Sequence, residues 1–397
     1  MPARSTWADL WPLDPAVDYL NHGSFGACPK AILDKQSELR MRLEREPVDF
    51  LVRALPGLLA EARAALAGFV GADGDDLAFV PNATAGVNAV LRSLAFSPGD
   101  EILTTNHAYA ACKKTLDYVA ARTGARVVVA QVPFPLGGEE DVIEPVLRAV
   151  APRTRLAMLD HVTSPTALVF PIERLVAGLF ARGVDTLVDG AHALGMVPLD
   201  LARLGAAYYT ANAHKWLCAP KGAAFLHVRK DRQKGLHPIA ISHGYAGGEA
   251  RFKDEFDWTG TADPTAALSI PDCIAYLGGL LPGGWTALME TNRALSLKAR
   301  AILCEALGVS TPAPEPMIGA MASVPLPAVA LGSPAARLDR EELADWTRAR
   351  GVEAWFYDWP LGGGSGGKLV RVSAQLYNTA GQFVRLAGLL AEALREG

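Results

Sequence analysis

The 397-residue chain is half hydrophobic and one-fifth charged, a composition that excludes a disordered or fibrous protein and allows a large buried core. Its formal net charge of −4 gives no electrostatic reason to expect nucleic acid as a partner. No apolar run reaches the roughly 18 residues that span a bilayer, and the opening MPARSTWADLWPLDP lacks a signal-peptide core. We therefore expect a cytoplasmic protein without membrane association.

Short apolar runs along the chain predict a sheet of seven strands, at 77–80, 101–105, 126–132, 155–162, 185–190, 208–213 and 223–228. Most of these runs are continuous rather than alternating, which indicates that helices cover both faces of the sheet. Helical periods separate the first five runs and favour a mainly parallel α/β arrangement. The last two runs are only nine residues apart, too close for a helical crossover, so we expect them to pair antiparallel.

The pattern changes after about residue 270, where longer helical segments alternate with a few strands. We interpret residues 21–269 as a large α/β domain and 270–397 as a smaller C-terminal α+β domain. Residues 1–20 are expected to pack with the small domain. The five cysteines are widely spaced, with no C-x-x-C pair, so the sequence predicts neither a disulfide framework nor a metal site.

Ligands of such sheets bind beyond the carboxyl ends of the strands, so the polar residues there are the candidates for function. The first strand leads into PNATAGVN, where small residues open a helix near Thr84. Free backbone N–H groups and the helix dipole would favour an anion at this point. The alternative is that Asn82 or Thr84 only caps the helix.

Asp189 ends the run DTLVDG, and Lys215 follows the next run. A carboxylate at the end of an apolar strand is costly to bury without a cation, although Asp189 could also be a helix cap or lie in an exposed turn. A partly desolvated lysine can act as a nucleophilic amine, but a strand-end lysine is more often a solvated surface residue. Together, the anion-binding helix, the aspartate and the lysine match the needs of pyridoxal 5′-phosphate (PLP) for a phosphate cradle, a partner for the ring nitrogen and a Schiff-base lysine.

The order of NATAGVN, DGAHALG, NAHKWLCAPKGAAFL and RVSAQLYNT resembles the class V aminotransferases of PLP fold type I. LNHGSFGACP, NHAYAACKKTLDY and HVTSPTAL are most similar to the isopenicillin N epimerase-like branch. The resemblance extends from about residue 18 to about residue 380. It implies that Lys215 binds the cofactor, that Asp189 contacts the pyridine nitrogen and that His192 lies near the phenolic oxygen or the lysine linkage.

The same resemblance implies further contacts with the cofactor and the substrate. The phosphate is expected at Thr84, the backbone of Ala83 and Ala85, and His214. Tyr109 is expected on the ring face in preference to His107, and Thr163 at the ring edge. The remaining residues implied are Asn21, His22 and Gly23 in the substrate pocket, Arg371 on a substrate α-carboxylate, and Thr261 of TGTADP, which would reach the phosphate of a neighbouring subunit in a homodimer.

Three of these assignments also have a purely structural interpretation. Arg371 could be a surface arginine of a strand, His22 a structural loop histidine, and TGTADP an ordinary turn. Arginine nevertheless suits bidentate binding of a carboxylate, which favours the functional role of Arg371.

The reaction is less determined than the cofactor, because proton removal from Cα by Lys215 is common to epimerases, C–S lyases and aminotransferases. We expect an epimerase or racemase acting on an amino-acid-type substrate. Inversion requires that the proton be returned on the opposite face, by the same base or by a second acid. The sequence does not identify that acid, and Tyr245, His243 and His22 are the candidates. A cysteine desulfurase is disfavoured because no cysteine follows Cys304. A nicotinamide dehydrogenase is disfavoured because no G-x-G-x-x-G links the first strand to its helix, and a scaffold protein would not need Asp189 and Lys215.

Overall fold

The computed structural model describes residues 4–246, 252–327, 339–360 and 367–395. Of the glycine run LGGGSGG at 361–367, residues 361–366 lie outside the described residues. The strands that it describes are β1 (Asp18–Tyr19), β2 (Leu77–Val80), β3 (Glu101–Thr105), β4 (Arg126–Ala130), β5 (Thr154–Asp160), β6 (Asp185–Asp189), β7 (Tyr208–Asn212), β8 (Ala224–Val228), β9 (Met321–Pro325), β10 (Val352–Glu353), β11 (Trp355–Trp359) and β12 (Gly367–Ser373).

Seven of these strands form the central sheet, in the order β2-β8-β7-β6-β5-β3-β4. The strands from β7 to β4 in this order are mutually parallel, whereas β8 runs antiparallel to both of its neighbours. The predicted mainly parallel sheet and the predicted antiparallel final pair are therefore confirmed. Each strand begins and ends within two residues of its apolar run.

Helices cover both faces of this sheet, as the continuous apolar runs predict. Neighbouring residues of a strand point to opposite faces, so Leu103 packs in one core and Ile102 in the other. The helices are His22–Phe25, Lys30–Arg45, Leu55–Val70, Ala83–Ser93, Ala110–Thr123, Glu140–Arg148, Ile172–Phe180, Leu201–Leu204, Phe252–Asp257, Thr265–Leu268, Ile270–Gly278, Gly284–Leu307, Arg340–Ala349 and Ala380–Arg395. None of them, within the described ranges, is long and apolar enough to cross a membrane.

The C-terminal part has a smaller antiparallel sheet of its own, ordered β11-β12-β9. The helices Gly284–Leu307 and Ala380–Arg395 contribute to the core beside it. The N-terminal strand β1 pairs in parallel with β10, which joins Asp18 to Val352 in register. The α+β character of this region is confirmed, while the domain boundaries at residues 20 and 269 stay predictions.

The strand register brings several polar residues to one edge of the central sheet. Asp160, at the end of β5, is the register partner of Asp189, at the end of β6. Val80 of β2 and Asn212 of β7 both pair with Ala224. The helix that follows β2 therefore begins at the same edge as the segment that carries Lys215.

Candidate active site

A cavity of about 270 Å³ opens at this edge. The chain segments that follow β2, β5, β6 and β7 supply most of its wall, because they all leave the sheet at this edge. Its lining residues are Ser24, Phe25, Asn82, Ala83, Thr84, Tyr109, Asp160, Val162, Ser164, Asp189, Ala191, His192, Asn212, His214 and Lys215.

Lys215 enters the cavity from the turn that follows β7. Its amine donates to Nε2 of His192 at 3.1 Å. Burial, followed by the positive charge of Arg371, lowers the pKa of Lys215 from 10.5 to about 7. Burial and then the charge of Lys215 hold the pKa of His192 well below its usual value, so this imidazole is neutral. The amine is thus available as a nucleophile or base near neutral pH.

Asp189 is almost fully buried and accepts two hydrogen bonds from within the chain. The backbone N–H of Ala191 donates to Oδ1 at 3.0 Å, and the thiol of Cys112 donates to Oδ2 at 3.2 Å. Burial raises the pKa of this carboxyl group, whereas both donors and the charge of Lys215 act in the opposite direction. The arrangement favours a carboxylate that receives a proton donor from the cavity.

The first turn of the helix Ala83–Ser93 lies at another part of the cavity wall. Asn82 caps the helix by accepting from the N–H of Ala85 at 2.8 Å, and Asn212 accepts from the N–H of Ala83 at 2.8 Å. The two backbone donors that we expected to bind phosphate are therefore already satisfied by amide oxygens. Thr84 remains on the cavity wall as the predicted phosphate contact.

His214 also lines the cavity, as expected for a phosphate neighbour. Its Nδ1 donates to the carbonyl of Ala223 at 3.0 Å, so Nε2 of the neutral ring carries a lone pair. Burial, followed by the charge of Lys215, lowers the pKa of His214 to about 4. Donation to a phosphate would require this ring to take up a proton, which the negative charge of the phosphate would favour.

The two candidates for the ring face, Tyr109 and His107, differ in whether they line the cavity. Tyr109 lines the cavity and is 43% exposed. His107 is fully buried, with Nδ1 bonded to Thr166 and Nε2 to the carbonyl of Val132. The preference for Tyr109 is consistent with this placement, whereas both ring nitrogens of His107 already have partners.

Thr163 does not lie at the cavity wall, in contrast to our expectation for the ring edge. Its hydroxyl bonds to Thr166 at 2.7 Å and accepts from the N–H of Leu168 at 2.8 Å, so it closes the loop after β5. The neighbouring residues Val162 and Ser164 face the cavity instead.

Arg371 is buried directly behind the cavity wall. Nη1 donates to the carbonyl and the hydroxyl of Ser164 at 2.9 and 3.1 Å, and Nη2 donates to Ser24 at 2.8 Å and Asn21 at 3.3 Å. All of these acceptors are neutral, and Nε has no partner among the described residues. A buried guanidinium without a counter-ion favours binding of an anion.

Most of the N-terminal motif supports the site from behind rather than lining it. The imidazole of His22 contacts the carbonyl of Lys215 at 3.0 Å and the hydroxyl of Tyr377 at 2.8 Å, and the N–H of Gly23 donates to Ser373 at 3.0 Å. Ser24 and Phe25, two residues that we did not predict, line the cavity instead.

The remaining predicted residues lie away from the cavity wall. Thr261 is exposed, and its expected role in a neighbouring subunit's site stays a prediction. Tyr245 is exposed beside His237, and His243 is also exposed, so neither of these candidates for a second acid reaches the cavity.

Sequence reasoning missed Cys112, Asp160, Ser164 and Asn212. Asp160 ends the run RLAMLD in the same way that Asp189 ends DTLVD, and this pattern could have identified it. Cys112 gave no such indication, because it lies two residues into a helix that begins at Ala110.

The residues present fit PLP on grounds internal to this structure. Asp160 Oδ1 and His192 Nδ1 are buried polar atoms of the cavity lining without hydrogen-bond partners in the described chain. Such atoms are costly unless a ligand satisfies them. Lys215 has the low pKa that covalent attachment requires, and Asp189 provides a carboxylate for a ring nitrogen.

Comparison with known proteins agrees with this fit. The family described as aminotransferase class-V matches residues 46–382. Isopenicillin N epimerase of Amycolatopsis lactamdurans is 38% identical over 96% of both chains, and a putative L-cysteine desulfhydrase of Oryza sativa subsp. japonica is 33% identical over 97% of this chain and 84% of its own. A solved C-DES mutant with glycine covalently linked to its PLP cofactor superposes with a TM-score of 0.81 at 21% identity, over 99% of this chain and 100% of that one.

Proposed function

The chain belongs to the class V aminotransferase family of PLP-dependent enzymes, and on that premise we propose that it is an epimerase acting at Cα of an amino acid or amino-acid-derived substrate. When bound, PLP withdraws electrons from the substrate and acidifies the Cα–H bond. The residues of this chain would hold the cofactor, orient the substrate and move the proton.

The observation that carries the proposal is that Lys215 lines the cavity and that the guanidinium of Arg371 lies directly behind its wall. Ser24 and Ser164 line the cavity, and both also accept hydrogen bonds from Arg371. Ser24 and Ser164 therefore separate the guanidinium of Arg371 from the cavity that Lys215 enters. A substrate α-carboxylate bound by Arg371 would have its Cα within the same cavity as the amine.

Lys215 is our proposed base for the Cα proton. Its pKa of about 7 leaves much of the amine unprotonated at neutral pH, and His192 holds the amine at 3.1 Å. Asp189 is the proposed partner of the ring nitrogen, and Thr84 with His214 the proposed phosphate contacts. Arg371 is the proposed carboxylate anchor, and Asn21 supports it through a hydrogen bond at 3.3 Å.

Epimerisation also requires that a proton be returned on the second face of Cα, by the same base or by a second acid, and we assign this role to Tyr109. The candidates His22, His243 and Tyr245 do not line the cavity, whereas Tyr109 does. Burial raises the pKa of Tyr109, so its hydroxyl keeps its proton at neutral pH. With Tyr109→Phe, we expect exchange of the Cα proton to continue while inversion is lost.

A C–S lyase is the second candidate, favoured by the relative named L-cysteine desulfhydrase at 33% identity. It would use the same base and the same anchor. A cysteine desulfurase is not supported, because it needs a mobile cysteine near the substrate. All five cysteines are buried, and Cys304 lies inside the helix Gly284–Leu307.

We also propose that the working unit is a homodimer with shared sites. Residues 259–263 of TGTADP, which include Thr261, are exposed and do not line the cavity of their own chain. An exposed segment of this kind is suited to contact a second copy.

Product analysis in heavy water tests the function. The purified enzyme is incubated with L-amino acids of increasing side-chain length and with cysteine, and Lys215→Ala serves as the control. We expect the inverted stereoisomer with deuterium at Cα. Pyruvate with ammonia and sulfide, without inverted substrate, would replace the epimerase by the C–S lyase, and a keto acid with pyridoxamine phosphate would replace it by an aminotransferase.

A further inference from the structure

A second carboxyl group, Asp160, lies beside Asp189, and the chemistry described above does not use it. The two residues end neighbouring parallel strands and are register partners, so their side chains point to the same face of the sheet. Adjacent strands are separated by about 4.8 Å. Asp160 is 2% exposed and Asp189 is 3% exposed, and both line the cavity.

The two carboxyl groups differ in their hydrogen bonds. Asp189 has a donor for each oxygen, from Ala191 and Cys112. Asp160 receives the backbone N–H of Tyr109, but its Oδ1 has no partner among the described residues. No lysine, arginine or histidine of the described chain forms an ion pair with either carboxyl group. Two negative charges at this place would therefore be poorly compensated.

Electrostatics favours one charge on the pair rather than two. Burial and then the charge of Asp189 raise the pKa of Asp160 well above its usual value, although Tyr109, Lys113 and Lys215 act against this rise. For Asp189, the groups that act against burial are Cys112, Ala191 and Lys215. Because Asp189 has the better set of donors, the proton is more stable on Asp160.

We propose that Asp160 is a positioning residue that carries the single proton of this carboxyl pair and leaves Asp189 as the only anion. Its O–H acts as a hydrogen-bond donor in the cavity, which gives Oδ1 the function that its lack of a partner leaves open. Cys112 belongs to the same arrangement, since its thiol, on the helix Ala110–Thr123, donates a hydrogen bond to Asp189. The proposal concerns only the protonation of these side chains and holds whether the reaction is epimerisation or C–S cleavage.

Infrared spectroscopy of the holoenzyme at neutral pH tests the proposal directly. A protonated carboxyl group has a carbonyl stretching band that shifts in heavy water and that an ionised carboxylate lacks. We expect the wild-type enzyme to show this band and Asp160→Asn to lose it, with Asp185→Asn as the matched control that keeps it. Loss of carboxylate bands in Asp160→Asn, with the protonated band unchanged, would overturn the proposal.

Cofactor binding gives a second readout that does not depend on turnover. Asparagine retains a donor and the shape of a neutral aspartic acid, so Asp160→Asn should hold PLP nearly as well as the wild type. Asp160→Ala removes the donor and should weaken PLP binding about tenfold or more. Equal weakening in both variants would mean that the negative charge of Asp160 is needed, which contradicts the proposal. If either variant fails to fold, the pH titration of the wild-type band decides: the band should persist above the usual aspartate range, and its disappearance within that range would refute the assignment.

Discussion

The amine of Lys215 lies 3.1 Å from Nε2 of His192, an imidazole whose other nitrogen has no hydrogen-bond partner among the described residues. The contact holds the lysine at the cavity wall without supplying a compensating negative charge, because His192 is itself uncharged. An ion pair with a carboxylate would have raised the pKa of this lysine and weakened it as a nucleophile. The neutral partner therefore suits a lysine that has to lose its proton.

This relationship predicts the pH dependence of cofactor attachment. Only the unprotonated amine attacks a carbonyl, so the rate at which PLP attaches to the apoenzyme should rise with pH and level off above the pKa of Lys215, about 7. Absorbance at a series of pH values measures this rate, and Nα-acetyl-lysine measured in parallel provides an amine with the ordinary lysine pKa. A midpoint near the ordinary lysine value of 10.5 would contradict the prediction. Arg371→Met should move the midpoint upward, since the charge of Arg371 contributes to the lowered pKa.

Replacing Asp189 by asparagine keeps the shape of the side chain but removes its charge. We expect turnover to fall by about a hundredfold or more, in the range seen when a preorganised electrostatic group is lost. PLP content should fall less, because Lys215 and the phosphate contacts are unchanged. Asp185→Asn is the control, since Asp185 begins the same strand and pairs with Arg232 at 2.6 Å. Near-normal turnover of Asp189→Asn would refute the role of Asp189.

Gly26 packs directly against the backbone that carries Lys215. It has φ of +70°, and a Cβ at this position would lie 2.0 Å from the carbonyl oxygen of His214 and 2.9 Å from Cα of Lys215. We expect Gly26→Ala to lower the free energy of unfolding by about 3 kcal/mol and to reduce PLP content, because neither backbone can move freely.

Gly68→Ala provides the matched control for Gly26. Gly68 lies inside the helix Leu55–Val70, and no atom lies within 4 Å of the added Cβ. The free energy of unfolding of this variant should rise by about 0.5 to 1 kcal/mol, since alanine loses less conformational entropy than glycine when a helix forms. Thermal unfolding followed by circular dichroism measures both variants. If Gly26→Ala unfolds at the wild-type temperature, the close packing of the two segments is wrong.

The proposed shared site predicts complementation between inactive variants. Lys215→Ala and Thr261→Glu are each expected to be inactive, but their hybrid dimer contains one site with both native residues. An equal mixture, refolded or exchanged, should recover about a quarter of the wild-type activity, because half of the dimers are hybrids with one working site of two. Lys215→Ala mixed with Asp189→Asn should recover none, since both residues lie in the cavity of one chain. A fully active monomer would end the shared-site hypothesis.

The sheet could be predicted from the sequence because its strands are buried on both faces and therefore appear as continuous apolar runs. Asp189 and Lys215 could be located together because each directly follows such a run, at the edge where the ends of parallel strands meet. The same logic applies to Asp160, which we overlooked because family resemblance assigned no role to that position.

The remaining differences come from contacts between segments that are distant in sequence or from local loop geometry. The hydroxyl of Thr163 is used within its own loop, which no motif reveals. His22 contacts Lys215 across 193 residues of chain. The prolines of PAPEPMIGA at 312–320 indicate a loop in the sequence, yet Met317 and Ile318 of this stretch are buried in the main core. The stretch contains only one short 3-10 helix, Glu315–Met317, so its prolines limit regular structure but say little about burial.

The central claim is that Lys215 holds PLP, and borohydride reduction followed by peptide mapping tests it most directly. Reduction converts the lysine–cofactor linkage into a stable bond, so the labelled peptide identifies the residue. Lys221 is the matched rival, six residues further along the same turn and free of any role in the cavity lining. We predict label on Lys215 in the wild type, its loss in Lys215→Ala and its retention in Lys221→Ala. Label on Lys221, or unchanged labelling of Lys215→Ala, would contradict the claim.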